Sequence, residues 1–262
     1  MADLKQTPPY PPAHDLLKGK RVLVTAAAGT GIGFSVAKRA AEEGATVMIS
    51  DIHEGRIAKA ADQIEQAVGT RPVTALCNVT DQNDVDALFA AASQQMGGVD
   101  ILINNAGLGG TADLIDMTDD QWSVVMDVTL NGCFRMNRAA FQHMKPNGGG
   151  VVVNNASVLG WRAQKGQAHY AAAKAGVMAL TRCAGVEGAE LGIRVNAVAP
   201  SLAMHPFLHK VTSPELLAEL EAKEAYGRAA EVWEIANVMI FLASDYSTYM
   251  TGETVSVSSQ RA

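Results

Sequence analysis

RVLVTAAAGTGIG, residues 21–33, is the stretch that decides the fold of this chain. Its first five residues form a short apolar run typical of a buried strand, and the residues from 31 to 43 have the periodicity of an amphipathic helix. The small residues between them allow a close backbone approach, so a pyrophosphate group can bind the free amides at the helix start. Many α/β proteins have such a turn without a ligand, so the turn indicates a dinucleotide site only together with other features.

Strands and helices alternate after this stretch almost to the end of the chain. Strands are predicted over residues 46–50, 73–77, 100–104, 151–153, 193–198 and 254–257. Helices are predicted over residues 54–68, 81–96, 122–144, 214–225 and 231–243, with a further helix that carries Tyr170 and ends near residue 191. This alternation requires right-handed crossovers. It predicts a single Rossmann-like α/β domain, a doubly wound parallel sheet with helices on both faces.

An extended N-terminal arm is predicted for residues 1–18, which contain four prolines and few apolar residues. The domain itself is placed at residues 19–262, because no linker, repeat or low-complexity tract divides this part of the chain. The sequence leaves open whether the arm packs on its own subunit or on a partner subunit.

The composition argues against several classes of partner. A formal net charge of −6 disfavours sequence-independent nucleic-acid binding, which requires a basic face. No apolar run reaches the ~18 residues of a membrane span, so a soluble, cytoplasmic protein is expected. Cys77, Cys133 and Cys183 are far apart and lack metal-ligand spacing, so we expect buried, reduced thiols and no metal site.

Asp51 follows the second predicted strand, about twenty residues after the glycines, as in dinucleotide-binding motifs. A carboxylate at this point can accept hydrogen bonds from both ribose hydroxyls of NAD, and it repels the additional phosphate of NADP. The alternative is an aspartate that only caps the next helix. Together with the glycine-rich turn, Asp51 favours NAD as cofactor.

Tyr170 and Lys174 are four residues apart, so both side chains share one face of the predicted helix. Ser157 lies in a loop upstream of this helix. Taken one at a time, these residues are more often structural: a core-edge aromatic, a solvated charge and a strand-end cap. Their order behind a dinucleotide site favours a catalytic group.

These motifs resemble those of the short-chain dehydrogenase/reductase family, over nearly the whole chain after the arm. Asn104-Asn105-Ala106-Gly107 resembles the family's Asn-Asn-Ala-Gly signature, and Asn78-Val79 is similar to its adenine-contacting pair. Ser157, Tyr170 and Lys174 match its catalytic serine, tyrosine and lysine in order and spacing. The resemblance further implies a mobile substrate loop and lid over residues 200–226, and a homo-oligomer, tetramer or dimer, with helices 122–144 and 170–191 at one interface.

The resemblance implies a distinct role for each of these residues. The predicted cofactor contacts are Gly29, Thr30, Ile32, Asp51, Asn78, Val79, Asn105, Tyr170 and Lys174. Tyr170 is predicted to be the general base in oxidation and the general acid in reduction. Because a free phenol is a poor base at neutral pH, the positive charge of Lys174 is expected to favour the phenolate. Lys174 is also expected to hold the nicotinamide ribose, and Ser157 to hydrogen-bond the substrate oxygen.

The sequence departs from the family pattern at several points. The phosphate loop is one residue longer, with Ala26 in place of the first glycine, so a bulged loop is expected. Thr129 stands where the family has a fourth catalytic residue, an asparagine, and Asn131 lies two positions further along. Which of the two replaces the asparagine is open. Between Ser157 and the tyrosine helix, Trp161 and the cations that follow it border the substrate pocket or, alternatively, are exposed interface residues.

Three stretches, Thr25–Ser35, Val153–Lys174 and Ala243–Gly252, resemble an actinobacterial subgroup of steroid ring degradation. This resemblance implies oxidation of a secondary ring hydroxyl to a ketone on a CoA thioester, with NAD as acceptor. The alternatives are a 3-oxoacyl-ACP or -CoA reductase, against which Asp51 weighs, and a non-catalytic dinucleotide sensor, against which the retained tyrosine and lysine weigh.

Overall fold

A computed structural model describes residues 4–205, 208 and 213–259 of the chain. Among these residues, seven strands form one sheet in the order β3-β2-β1-β4-β5-β6-β9, and every neighbouring pair is parallel. They are β1 (Arg21–Thr25), β2 (Thr46–Asp51), β3 (Val73–Leu76), β4 (Ile101–Asn104), β5 (Gly150–Asn155), β6 (Ile193–Pro200) and β9 (Thr254–Val257). Two short strands, β7 (Ala203–Met204) and β8 (Ala230–Glu231), pair separately. The predicted doubly wound parallel sheet is confirmed.

Helices cover both faces of the sheet. They are α1 (Ile32–Glu42), α2 (Glu54–Val68), α3 (Gln82–Met96), α4 (Asp119–Met126), α5 (Gly132–Met144), α6 (Ala168–Ala189), α7 (Pro214–Lys223) and α8 (Val232–Ala243). Helices α1, α2 and α8 pack on one face, and α3, α5 and α6 pack on the other. Because both faces are covered, the three central residues of β1 are apolar: Val22 and Val24 face one layer of helices, and Leu23 faces the other.

Two sequence-based expectations need correction. The continuous helix predicted over residues 122–144 is two helices joined by a π-helical turn, Asp127–Asn131, and α4 begins earlier because Thr118 forms a capping box with Gln121. Cys183 is exposed rather than buried. Cys77 and Cys133 are buried as predicted, and burial raises the pKa of both thiols to about 12.

The N-terminal arm packs on its own subunit, against the C-terminal end of α1. Leu17 is fully buried there. The Arg39 guanidinium donates to the carbonyls of Pro11 and Pro12 at 2.8 Å each, and the buried carboxylate of Glu43 accepts hydrogen bonds from two arm amides at 2.9 and 3.0 Å. These contacts fix the path of the arm into β1.

No helix in the described part of the chain is long and apolar enough to cross a bilayer.

Candidate active site

The candidate site lies at the carboxyl ends of β1, β4 and β5. The strand order reverses between β1 and β4, and this is where α/β sheets open a crevice for ligands. Asn105 closes the floor of the crevice: its backbone N–H donates to Thr25 Oγ1 at 2.9 Å, and its side chain donates to the carbonyls of Thr25 and Ala26. The side chain of Asn155 in turn donates to Asn105 Oδ1 at 2.9 Å.

The turn after β1 brings backbone amides to the crevice, as the sequence predicted. Ala26 has a φ of +51°, which is a left-handed backbone conformation. A glycine adopts this conformation without strain, whereas the Cβ of alanine makes it less favourable. A Cβ on Gly33 would lie 2.5 Å from both the Ala26 carbonyl oxygen and Asn105 Nδ2, so only glycine fits there. Gly29 and Thr30 are exposed beside them. Helix α1 then begins at Ile32 with no side-chain cap, which leaves its first amides available to an anion.

Asp51 lies next to this turn at the end of β2. Its carboxylate accepts hydrogen bonds from the amides of Ala28 at 3.2 Å and His53 at 3.1 Å. Burial raises the pKa of the Asp51 carboxyl, and the hydrogen bond from Ala28 opposes that rise. These bonds tie the acidic side chain to the phosphate loop, a geometry that suits recognition of a ribose beside a pyrophosphate.

Asn78 and Val79 follow β3 on the same edge of the sheet. Asn78 Oδ1 accepts hydrogen bonds from the backbone amide and the hydroxyl of Thr80. The backbone amide of Asn78 donates to the carboxylate of Asp84. Val79 is buried, and its side chain lies so close to Gly132 that a Cβ there would be 2.7 Å away. The pair is thus rigidly held at the adenine end of the crevice that the resemblance implies.

Tyr170 and Lys174 are brought together on the face of α6 that meets the crevice. Lys174 Nζ lies 5.5 Å from the centre of the Tyr170 ring and donates to the carbonyl of Asn155 at 2.5 Å. Lys174 is only 2% exposed, which excludes the solvated-charge alternative. The loop of residues 107–110 after β4, here called the glycine loop, covers both side chains. A Cβ on Gly107 would lie 3.3 Å from Lys174 Nζ, and one on Gly109 would lie 3.5 Å from the Tyr170 ring.

Ser157 stands directly after β5, in extended conformation. Its hydroxyl caps the 3₁₀ turn Val158–Gly160 by accepting a hydrogen bond from the Leu159 amide at 3.2 Å. The turn packs on α6, where a Cβ on Gly160 would lie 2.6 Å from Met178. Ser157 can therefore act both as a cap and as the predicted partner of the substrate oxygen, because a hydroxyl that accepts one hydrogen bond can still donate one.

Thr129, and not Asn131, faces the site. The hydroxyl of Thr129 donates to the carbonyl of Leu108 and accepts from the Leu108 amide, each at 2.9 Å. Asn131 is exposed, and its side chain donates to Asp127. Residues two positions apart lie about 200° apart around a helix, so the two side chains cannot face the same side. Thr129 therefore anchors the glycine loop that covers Tyr170 and Lys174.

We predict that Thr129→Val lowers kcat/KM by about 10- to 100-fold, because the glycine loop loses both of its anchoring hydrogen bonds and the reacting groups shift. Thr129→Ser keeps the hydroxyl and is expected to retain activity close to the wild type. Steady-state kinetics and thermal unfolding of both variants check this. Equal kinetics for the valine and serine variants would show that the Leu108 bonds do not matter for activity.

Other residues lie around this centre. His169 is buried beside Gly110, and its Nδ1 has no hydrogen-bond partner. Trp161 is half-exposed on the loop between Ser157 and α6. Of the predicted lid, residues 206, 207 and 209–212 lie outside the described residues, and Pro214–Lys223 is the helix α7. Among the residues that the structure describes, no cluster of His, Cys, Asp or Glu has the composition of a metal site.

Sequence reasoning missed a buried amide cluster under the site. Asn104 Nδ2 donates to Asn154 Oδ1 at 3.2 Å, Asn137 Nδ2 donates to the same oxygen at 2.9 Å, and Asn154 Nδ2 donates to Thr181 Oγ1 at 3.0 Å. These bonds join β4, β5, α5 and α6, so they fix the strand ends that carry the site. The signal in the sequence is that the apolar strands β4 and β5 both end in asparagine.

A dinucleotide-type turn, a tyrosine–lysine pair and a doubly wound sheet define the class of this protein, a Rossmann-like α/β oxidoreductase. A family model described as enoyl-(acyl carrier protein) reductase matches residues 26–259. The chain belongs to the short-chain dehydrogenase/reductase family.

Three relatives extend over nearly the whole chain. A Mycobacterium tuberculosis protein, (5R,7aS)-5-hydroxy-7a-methyl-1-oxo-2,3,5,6,7,7a-hexahydro-1H-indene-carboxyl-CoA reductase, is 57% identical and covers 94% of this chain and 95% of its own. The cis-4-hydroxycyclohexanecarboxylate dehydrogenase of Sinomonas cyclohexanicum is 37% identical, over 91% and 95% of the two chains. The crystal structure of a Mycobacterium smegmatis short chain dehydrogenase is 52% identical, with a TM-score of 0.88 and coverage of 99% and 100%.

Proposed function

We propose that the protein is an NAD-dependent dehydrogenase that interconverts a secondary ring hydroxyl and a ketone on a CoA thioester of a steroid-derived ring system. The single observation that carries this proposal is the 57% identity, over 94% of the chain, to a relative named as a hydroxy-indene-carboxyl-CoA reductase. The second relative, which is named for a cyclic hydroxy acid, supports a ring hydroxyl as the reacting group.

The residues of the crevice fit a nicotinamide dinucleotide. The uncapped start of α1 offers amides to the pyrophosphate, Asp51 offers a carboxylate to the adenosine ribose, and Asn155 Oδ1 is a buried acceptor without a partner beside Lys174. When bound, the cofactor supplies the acceptor or donor for the hydride. Lys174 holds the nicotinamide ribose in this proposal, because its ammonium has donors left after its bond to Asn155.

Proton transfer falls to Tyr170 in this proposal. In the oxidation direction the phenolate takes the hydroxyl proton of the substrate, and in reduction the phenol returns it to the new alkoxide. The ammonium of Lys174, one helical turn away, lies 5.5 Å from the centre of the Tyr170 ring. Ser157 orients the reacting oxygen toward Tyr170 through its free hydroxyl donor. These roles are tested by following NADH formation with the CoA thioester of a 5-hydroxy-hexahydroindene carboxylic acid, and absence of turnover with NAD or NADP overturns the proposed substrate.

Two further predictions complete the proposal: a homo-oligomer, tetramer or dimer, and a cytoplasmic location. Exposed apolar side chains on α4, α5 and α6, namely Val124, Phe134 and Val186, permit the predicted helix interface. Sedimentation velocity tests the oligomer, and a stable monomer at working concentration contradicts it. The alternative of a non-catalytic dinucleotide sensor has no support, because the chain belongs to an oxidoreductase family and retains the tyrosine–lysine pair.

Cofactor preference is predicted to depend on Asp51. Asp51→Ser is expected to lower kcat/KM with NAD by about 10- to 100-fold, because a charge-assisted hydrogen bond to the ribose is worth about 1.5–3 kcal/mol. The same change is expected to raise kcat/KM with NADP, because the repulsion of its phosphate is removed. Parallel titrations of both cofactors measure this, with Glu54→Gln as an exposed acidic control nearby. A wild type that prefers NADP would instead favour the 3-oxoacyl-thioester reductase alternative.

A further inference from the structure

A cleft of about 680 Å³ opens beside the candidate site. One wall is the loop between Ser157 and α6, a second is the loop around Leu114, and the floor is the first turns of α6. Leu159, Trp161 and Leu114 give the cleft an apolar lining, and Arg162 and Lys165 stand on its rim. The proposed chemistry at Tyr170 uses none of these side chains.

The cleft adjoins the reacting centre along α6. Ala171, which lines its floor, is the residue that follows Tyr170 in α6. The two loops are tied together at the junction, where Gln167 Nε2 donates to the carbonyl of Gly110 at 2.7 Å and the Ala112 amide donates to the carbonyl of Gly166 at 3.1 Å. The same loop covers the Tyr170 ring one residue earlier, at Gly109. The floor of the cleft therefore begins one residue along α6 from Tyr170, where the two loops meet.

The rim of the cleft is positive although the chain has a net charge of −6. Its charged residues are Arg162, Lys165 and Asp113. Lys165 Nζ lies 3.0 Å from Asp113 Oδ2, but both side chains are well exposed, so the ion pair is weak and its lysine remains able to bind another anion. Two cations against one carboxylate suit a ligand that carries several negative charges.

We propose that this cleft binds the coenzyme A portion of the substrate, with Arg162 and Lys165 holding its phosphates and Trp161 packing against its pantetheine or adenine. The inference rests on the proposed function, because it assumes a CoA thioester as substrate. The hydroxyl and the thioester are attached to one small fused ring system, so the CoA chain has to leave the site close to Tyr170. A guanidinium binds phosphate oxygens in pairs, and an apolar lining suits the uncharged chain between thioester and nucleotide.

The test compares two thioesters of the same hydroxy acid, one with coenzyme A and one with N-acetylcysteamine, which keeps the thioester and lacks the nucleotide. In the double variant Arg162→Ala/Lys165→Ala, KM for the CoA thioester is expected to rise about tenfold or more, which corresponds to about 1.4 kcal/mol. Its kcat is expected to stay unchanged, and so are both constants for the N-acetylcysteamine thioester. Arg71→Ala, a surface arginine on the α2–β3 loop, is the control.

A variant that is expected to lower KM, rather than raise it, adds a second test. Asp113→Asn removes the only carboxylate among the residues that line the described cleft and frees Lys165, so it is expected to lower KM for the CoA thioester alone. Added salt is expected to raise that KM in the wild type and to have little effect in the double variant, because exposed charges are screened. Equal changes for both thioesters, or no change for the CoA thioester, overturn the proposal.

The outcome for the wild type separates this inference from the proposed function. If the wild type turns over neither thioester, the proposed function fails. Binding of free coenzyme A, measured by calorimetry with the cofactor site saturated by NAD, then tests the cleft directly. Binding by the wild type that is weakened in the double variant supports the cleft as a coenzyme A site, and absence of binding by the wild type overturns it.

Discussion

A Tyr170→Phe variant is expected to lose about 10²- to 10⁴-fold of kcat and still bind NADH with near wild-type affinity. The substitution removes one hydroxyl and keeps the ring, which packs under the glycine loop at Gly109. Lys174, with its hydrogen bond to the carbonyl of Asn155, is left in place. The loss should therefore fall on the chemical step, because Tyr170 is the residue proposed to transfer the proton, whereas Ser157 is proposed only to hydrogen-bond the substrate oxygen.

The measurement pairs single-turnover kinetics with a fluorescence titration of NADH and a thermal unfolding scan. Tyr249→Phe is the matched control, because Tyr249 is fully exposed and the same hydroxyl is removed. A folded Tyr170→Phe protein that binds NADH and keeps near-normal turnover would show that the phenol does not transfer the proton. A variant that loses NADH binding as well would assign Tyr170 to the cofactor rather than to the proton.

The fold could be predicted from the sequence because its signals are local. The apolar run before the glycine-rich turn, and the alternation of short apolar strands with amphipathic helices, leave few topologies other than a doubly wound sheet. The candidate site could be predicted for a related reason. Each of its residues stands at the end of a parallel strand or at the start of a helix, and the carboxyl ends of such strands meet at one edge.

The role of Thr129 could not be predicted, because it depends on a contact with a loop that is distant in the chain. Residues 129 and 131 lie about 200° apart around a helix, so only one of them can face the site. The sequence leaves open which one does, and the hydrogen bonds between Thr129 and Leu108 decide it. Hydrophobic periodicity also carries little information on the π-helical turn Asp127–Asn131, because such a turn alters the helical phase only locally.

The path of the arm was open for a different reason. Arg39 and Glu43 are four residues apart, the spacing of an ordinary exposed ion pair on a helix. The sequence does not indicate that prolines 11 and 12 cross over this pair and exclude water from it. Only the tertiary structure reveals Arg39 at 4% and Glu43 at 0% exposure.

Glu43→Gln is expected to lower the free energy of unfolding by about 3 kcal/mol, because the buried guanidinium of Arg39 loses the carboxylate at 2.6 Å and keeps only that of Glu42, at 3.6 Å, as counter-ion. Arg39 Nη2 and Glu43 Oε1 form an ion pair at 2.6 Å. This pair is not a hydrogen bond, because Nη2 donates instead to the carbonyl of Pro12. Glutamine has the same size, and its one oxygen can still accept from both arm amides, because both donate to Glu43 Oε2. The loss therefore measures the charge more than the packing. Urea-induced unfolding followed by circular dichroism gives the value.

Two observations separate this effect from a general loss of stability. Glu219→Gln removes a carboxylate from an exposed ion pair at the same spacing on α7, where about 0.5 kcal/mol or less is expected. Trypsin should cut the Glu43→Gln protein faster at Lys18 and Lys20, because release of the arm exposes the segment that Leu17 anchors. A Glu43→Gln protein as stable as the Glu219→Gln control would mean that water reaches Arg39 once its partner is lost, and that the arm is held by its backbone bonds and Leu17 alone.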